Sequence, residues 1–279
     1  MPKPGMPWWA AALVTAVLVL VLQSVLLMAA GVQASAHGVA FEESLRVVTL
    51  DPLNLALAQA LACALAVWLG LRWRREGRVR TRLWIEPAPH AVVALGLVAG
   101  LAAQFPLTEI ENLLREVWPM PVEEQLRIRR MLTPDGAWDG FAIVLALVLV
   151  APVGEELVFR GTLLPGMERR HGTRPALVLS ALLFGAAHLE PGVAITAAVA
   201  GLLLGAVAIR TGSVLPAIAM HAGINATPIL LPERVVPIPG LNTVSREVYH
   251  LSAPLLLSST TVAAVALVAM VWLTDRDIR

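Results

Sequence analysis

Long apolar runs alternate along this chain with short polar connections, and the runs have the length of membrane helices. About 20 apolar residues, rising 1.5 Å each, cross roughly 30 Å of hydrocarbon. Eight such runs can be cut out, near 8–30, 53–71, 88–105, 138–164, 174–189, 192–209, 213–230 and 252–273. The pattern predicts an all-α fold, a polytopic membrane helical bundle with about eight transmembrane helices. Trp8, Trp9, Trp68, Trp73, Trp84, Trp118, Trp138 and Trp272 fall at or near the ends of the runs, where an amphipathic indole prefers the interface. The first run reads as a retained span, because it is long and no A-x-A cleavage site is cleanly placed after it.

Composition agrees: hydrophobic residues make up 57%, charged residues 15%, and the mean hydropathy is +0.74, far from the balance of a soluble domain. The net charge of +1 and pI of about 8.1 give no sign of a nucleic-acid partner, and what matters is where the charge lies. Arg72, Arg74, Arg75, Arg78, Arg80 and Arg82 sit between the second and third runs, and Arg169, Arg170 and Arg174 between the fourth and fifth. The positive-inside rule assigns both groups to the cytoplasm, and with them the N-terminus, the Arg210 turn and a tail carrying Arg276 and Arg279. The connection from Pro106 to Ala137 is then external. Its first half reads as an amphipathic helix on the membrane surface, with Ile110, Leu113, Leu114 and Val117 at helical spacing. Arg127, Arg129 and Arg130 run against this orientation, offset in part by Glu123 and Glu124. Lys3 is the single lysine among many arginines, which suggests GC-rich coding and a bacterial inner membrane.

Cys63, the one cysteine, lies in an apolar run, so neither a disulfide framework nor a thiolate metal site is expected. Gly96 with Gly100 and Gly201 with Gly205 form small-xxx-small patterns, read as close packing within the bundle. They leave the oligomeric state open. The chain divides into N-terminal helices with the Arg-rich loop and the surface helix (1–137), a polar-bearing core (138–230), and an outer loop, last helix and tail (231–279).

That core carries polar groups inside membrane-length runs: Glu155, Glu156 and Arg160 on one, His188 on a second, His221 and Asn225 on a third. A charged group at the bilayer centre costs roughly 2.5 to 3.5 kcal/mol on insertion scales, so such residues mark function by default. Glu156 and Arg160 are four apart and share a helix face, whereas Glu155 points about 100° away. One carboxylate is therefore paired and positions, while the other is free to act as a general base. A buried Glu156–Arg160 pair that merely fixes packing is the plainer reading of those two residues. Counted from the cytoplasmic run ends, Glu155, His188 and Asn225 lie about 20, 21 and 22 Å deep and His221 about 16 Å. Three helices thus bring polar groups to one level. No H-E-x-x-H zinc helix and no G-x-S-x-G elbow is present, and His37, His90, His171 and His250 fall in connections or at run edges.

The three motifs, Glu155-Glu156-Leu-Val-Phe-Arg160-Gly161, Phe184-Gly-Ala-Ala-His188 and His221-Ala-Gly-Ile-Asn225, resemble those of the CAAX-protease and bacteriocin-processing (CPBP, Abi) intramembrane proteases, which include the Ras-converting CAAX endopeptidase. The resemblance spans about residues 138–230. It implies an intramembrane endopeptidase in which Glu155 and His188 activate water, His221 and Asn225 hold the oxyanion, and Glu156 and Arg160 orient the site. Glu155, His188 and His221 could also supply three zinc ligands with water in the fourth place, or the carboxylate could act without metal. The implied partners are membrane lipid and a membrane-anchored protein or peptide cut near its C-terminus. A proteolytically silent immunity or scaffold protein of the same fold, or a membrane transporter, is the alternative.

Overall fold

Proline behind an acidic cap starts two of the helices, and a left-handed glycine closes two. The Asp51 carboxylate accepts the Asn54 N–H at 2.8 Å and Glu190 accepts that of Val193 at 2.6 Å. Pro52 and Pro191 follow these caps, in the position where a missing N–H costs nothing. At the far ends Gly38 (φ 66°) and Gly212 (φ 63°) take the left-handed conformation that closes a helix.

The computed structural model describes residues 5–73 and 78–277. Lys3, Arg74, Arg75 and Arg279 of the charge pattern lie outside the described residues, as does the side chain of Arg276. The main helices are α1 (Trp8–His37), α2 (Phe41–Leu50), α3 (Pro52–Gly70), α4 (His90–Val117), α5 (Val122–Leu132), α6 (Ala137–His171), α7 (Thr173–Ala186), α8 (Pro191–Thr211), α9 (Leu215–Leu230) and α10 (Ala253–Asp277). Six of these, α1, α3, α4, α6, α8 and α10, are long and apolar enough to cross a membrane; α7 and α9 are apolar but shorter. The eight expected runs therefore appear as eight helices, and the chain is an integral membrane protein.

Two boundaries differ from expectation. The amphipathic segment at Ile110 to Val117 is not a separate surface helix, because α4 continues through Pro106 to Val117. Asn112 on that segment is buried and donates to the carbonyl of Gly240 at 3.0 Å. The run 174–189 ends early: α7 stops at Ala186, and His188 stands in the turn beyond it. The chain reverses there through Leu189 at φ 63° before Pro191 opens α8.

Contacts sort the connections onto two faces. On one, the Met6 N–H bonds the Gly166 carbonyl at 2.7 Å, Arg82 bonds the Leu71 carbonyl at 2.6 Å, Val214 N–H bonds the Trp84 carbonyl at 2.8 Å, and Arg210 pairs with Asp275 at 2.6 Å. This gathers the N-terminal segment, the Arg-rich connection, the Arg169–Arg170 end of α6 and the start of the tail, the grouping expected from charge. On the other face Gln125 and Ser245 exchange two hydrogen bonds of 3.0 and 3.1 Å. His250 there bridges Glu109 and Glu116 at 2.7 and 3.0 Å.

Among the described residues three apolar clusters form the interior, the larger two chiefly among α1, α3, α6 and α7 and among α4, α8, α9 and α10, the smallest among α1, α2 and α3. The glycines read as packing devices act within the bundle. A Cβ on Gly96 would lie 2.5 Å from the Pro216 carbonyl oxygen, and one on Gly223 would lie 2.5 Å from that of Leu97. Gly201 lies against Ala181 and Gly205 against Leu177. Backbone therefore meets backbone along the α4–α9 seam, which fixes the register of α9 and hence of His221 and Asn225.

Candidate active site

The site grows from an irregularity in α6. Two π-helical stretches, Val144–Val150 and Phe159–Leu163, bracket the α-helical turns Ala151–Val158 that carry both glutamates. Each is followed two residues on by a proline, Pro152 or Pro165. In the first stretch the Ala151 N–H bonds the carbonyl of Ala146, five residues back. The next donor in that register would serve Leu147, but it belongs to Pro152, which has no N–H. The Leu147 carbonyl is instead taken by Asn225 Nδ2 at 2.8 Å. A proline on α6 thereby frees an acceptor that anchors the amide of α9, a use of local π geometry common at functional sites.

Glu156 and Arg160 are sealed, each with a fully buried side chain, and pair at 2.7 Å. Arg160 also donates to the Gly201 carbonyl of α8 at 3.0 Å, and its guanidinium lies 4.4 Å from the centre of the Phe184 ring. The Glu156 oxygen that accepts from Arg160 also accepts from His221 Nδ1 at 2.9 Å. Among the described residues nothing hydrogen-bonds Glu156 Oε2 or Arg160 Nε.

Glu155 has a different setting. Its side chain keeps 16% exposure, and His221 Nε2 stands 3.9 Å from its Oε2. The other oxygen, Oε1, accepts from Gln59 Nε2 of α3 at 2.9 Å. With the His221 Nδ1–H given to Glu156, Nε2 is the nitrogen turned to Glu155. One imidazole thus spans both carboxylates.

His188 is brought near but not into contact. Its Nδ1 bonds the Phe184 carbonyl at 2.9 Å, and that bond does not engage Nε2. The His188 and His221 rings both meet the Phe184 ring in edge geometry, with centroids at 5.0 and 5.7 Å, and Phe159 closes the box at 5.1 Å. Leu189, next in sequence, holds a left-handed conformation that costs a leucine about 1 to 2 kcal/mol, and strain of this kind gathers at functional sites.

The expected site residues therefore divide. Glu155, Glu156, Arg160 and His221 form one contact network, Asn225 joins α6 through its backbone, and His188 is linked through Phe184. The three-ligand zinc set of Glu155, His188 and His221 is not assembled in this arrangement, since His188 is exposed beyond α7 and tied to its own helix. Among the described residues no three His, Cys, Asp or Glu side chains are placed to hold a metal ion. Sequence reasoning missed Gln59. Its signal was a polar side chain alone in the middle of an apolar run, outside all three motifs.

Residues 137–227 match the family described as type II CAAX prenyl endopeptidase Rce1-like. The match contains all six motif residues and leaves out α3 with Gln59. Neither a curated protein nor a solved structure matches the chain.

Proposed function

Taking residues 137–227 as a CAAX-type endopeptidase domain of an integral membrane protein, we propose that the chain hydrolyses a peptide bond near the C-terminus of a membrane-associated protein or peptide, with Glu155 as general base. The observation that carries this is the inequality of two adjacent carboxylates. Glu156 is closed off by Arg160 and His221, whereas Glu155 keeps an accessible oxygen and an uncharged partner.

In this reading Glu155 Oε2 takes a proton from water as its oxygen attacks the scissile carbonyl. His221, with Nδ1–H on the Glu156 carboxylate, serves the developing oxyanion through Nε2–H when its ring is doubly protonated. Asn225 gives one amide hydrogen to Leu147 and has the second for the same oxyanion. Preorganised donors of this kind are commonly the largest single catalytic contribution. The departing amine takes up the proton held by Glu155, with His188, whose ring meets that of Phe184 edge to face, as a relay. No step runs through a metal.

Cleavage of a quenched-fluorescent farnesylated peptide by the full-length protein in micelles tests the proposal. Glu155→Gln keeps the shape but cannot take a proton, and should lower turnover on the order of 10³-fold or more while the protein stays folded. Turnover should also survive exhaustive chelation. Undiminished cleavage by Glu155→Gln would remove the base; loss on chelation with recovery on adding zinc would replace this chemistry with a metal-centred one.

A further inference from the structure

We infer that Gln59 of α3 is a positioning residue for the Glu155 carboxylate, so that the active site extends beyond the matched segment into the N-terminal helices. The inference rests on the reading of Glu155 as base.

The geometry divides the two carboxylate oxygens. Gln59 Nε2 holds Oε1 at 2.9 Å, and Oε2 is left facing His221 Nε2 at 3.9 Å. A glutamate has three side-chain torsions, and without a second attachment its carboxylate would swing away from the direction in which water must be met. The amide supplies that attachment without charge. Arg160 does the reverse for Glu156, holding it with a full cation that ties up the carboxylate. A neutral donor fixes the orientation of a base and leaves its proton affinity in use, which is what a general base requires.

Packing places the amide where it can do this. Gly154 precedes Glu155, and a Cβ there would lie 2.9 Å from Cys63 Sγ and 3.1 Å from Cys63 Cβ. The α3 and α6 helices therefore approach as closely as a glycine allows, right beside the carboxylate. Gln59 and Cys63 are four apart on one face of α3, and the amide lies 3.6 Å from the sulfur. The close approach at Gly154 thus delivers Gln59 to Glu155. An amide serving only as interhelical glue would affect stability modestly and rate not at all.

The test uses the full-length protein in micelles and the same farnesylated peptide. Gln59→Met keeps length and removes the donor; it should lower kcat on the order of 10- to 100-fold, as misplacement of a reacting group does, and leave KM within about two-fold. Gln59→His restores an N–H at similar reach and should recover most of kcat. Wild-type kcat in Gln59→Met, or equal loss in both variants together with a lowered Tm, would overturn the inference. If Glu155→Gln stays active, the assignment of the base fails; if it is inert while Gln59→Met is fully active, only this inference fails. An infrared measurement needs no substrate. The carboxylate stretching band that Glu155→Gln removes should shift in Gln59→Met and be restored in Gln59→His, and an unshifted band would overturn the inference whatever the peptide shows.

Discussion

The two sides of α6 hold adjacent glutamates by opposite means. Toward α8 and α9, Glu156 is fully buried and clamped by charge, with Arg160 and His221 on one oxygen and Phe184 beneath the guanidinium. Toward α3, Glu155 is partly open and held by one neutral amide. The sealed side is rigid because a buried charge cannot lose its partner without leaving another charge stranded in a low dielectric. The open side can exchange protons because its close hydrogen bond comes from a neutral amide, with His221 Nε2 farther off at 3.9 Å. Next to each other in sequence, the two residues separate scaffold from chemistry.

Breaking the sealed side should have the largest effect on stability. Arg160→Met leaves Glu156 buried without its guanidinium partner, with an expected loss of about 3 to 5 kcal/mol, read as a fall in Tm or as failure to purify folded protein. Glu155→Gln, by contrast, should leave Tm nearly unchanged. If the two variants lose stability equally, the contrast between the sides disappears.

Next comes the anchored amide. Asn225→Ala should slow peptide cleavage by about 10²-fold or more, the scale of losing one oxyanion donor, with KM little changed. Full activity would reject that role and leave the bond to Leu147 as its whole purpose. A smaller effect is expected where register is set. Gly223→Ala drives a Cβ against Leu97 O and Leu101 N and should cost about 1 to 3 kcal/mol as overpacking does. A well-folded Gly223→Ala enzyme with reduced kcat would show that the seam positions His221 and Asn225.

The smallest effect belongs to the face away from the Arg-rich connection. His250 is held above its ordinary value by its hydrogen bond to Glu109 and then by that to Glu116. A group with a raised folded pKa contributes its full stabilisation below its unfolded value, about 6.5, and loses it as pH rises through the folded value. The Tm advantage of the wild type over His250→Gln should therefore be greatest in mild acid and fade above neutral pH. An advantage that grows with pH would contradict the sign. Activity ratios between Glu155 and Glu156 variants should not follow this transition, since the bridge closes a loop and touches neither glutamate.

Much of the site was legible beforehand because its signals are local. Glu156 with Arg160, and His221 with Asn225, are each one helical turn apart, so spacing alone puts each pair on a face. The sorting of the two glutamates into paired and free followed from the same arithmetic. His188 was harder to place, since an apolar run does not show where a helix stops, and Leu189 with Pro191 turns the chain three residues sooner than the run suggests. The surface helix at Ile110 to Val117 was overread for a related reason. An amphipathic stretch behind a proline looks like a new element, yet α4 passes through Pro106 and uses the polar stripe to hold the 231–252 loop.

By itself the sequence determined the class of the molecule, the number of apolar helices and the residues able to do chemistry, because burial in lipid demands uninterrupted apolar length and makes each polar exception conspicuous. Only the tertiary structure decided which exceptions meet. That Gln59 reaches Glu155 depends on two helices touching at Gly154, and that Asn225 reaches Leu147 depends on a carbonyl freed by Pro152 on another helix. Such contacts join residues about 80 to 100 positions apart in the chain, and helical periodicity carries information over only a few turns.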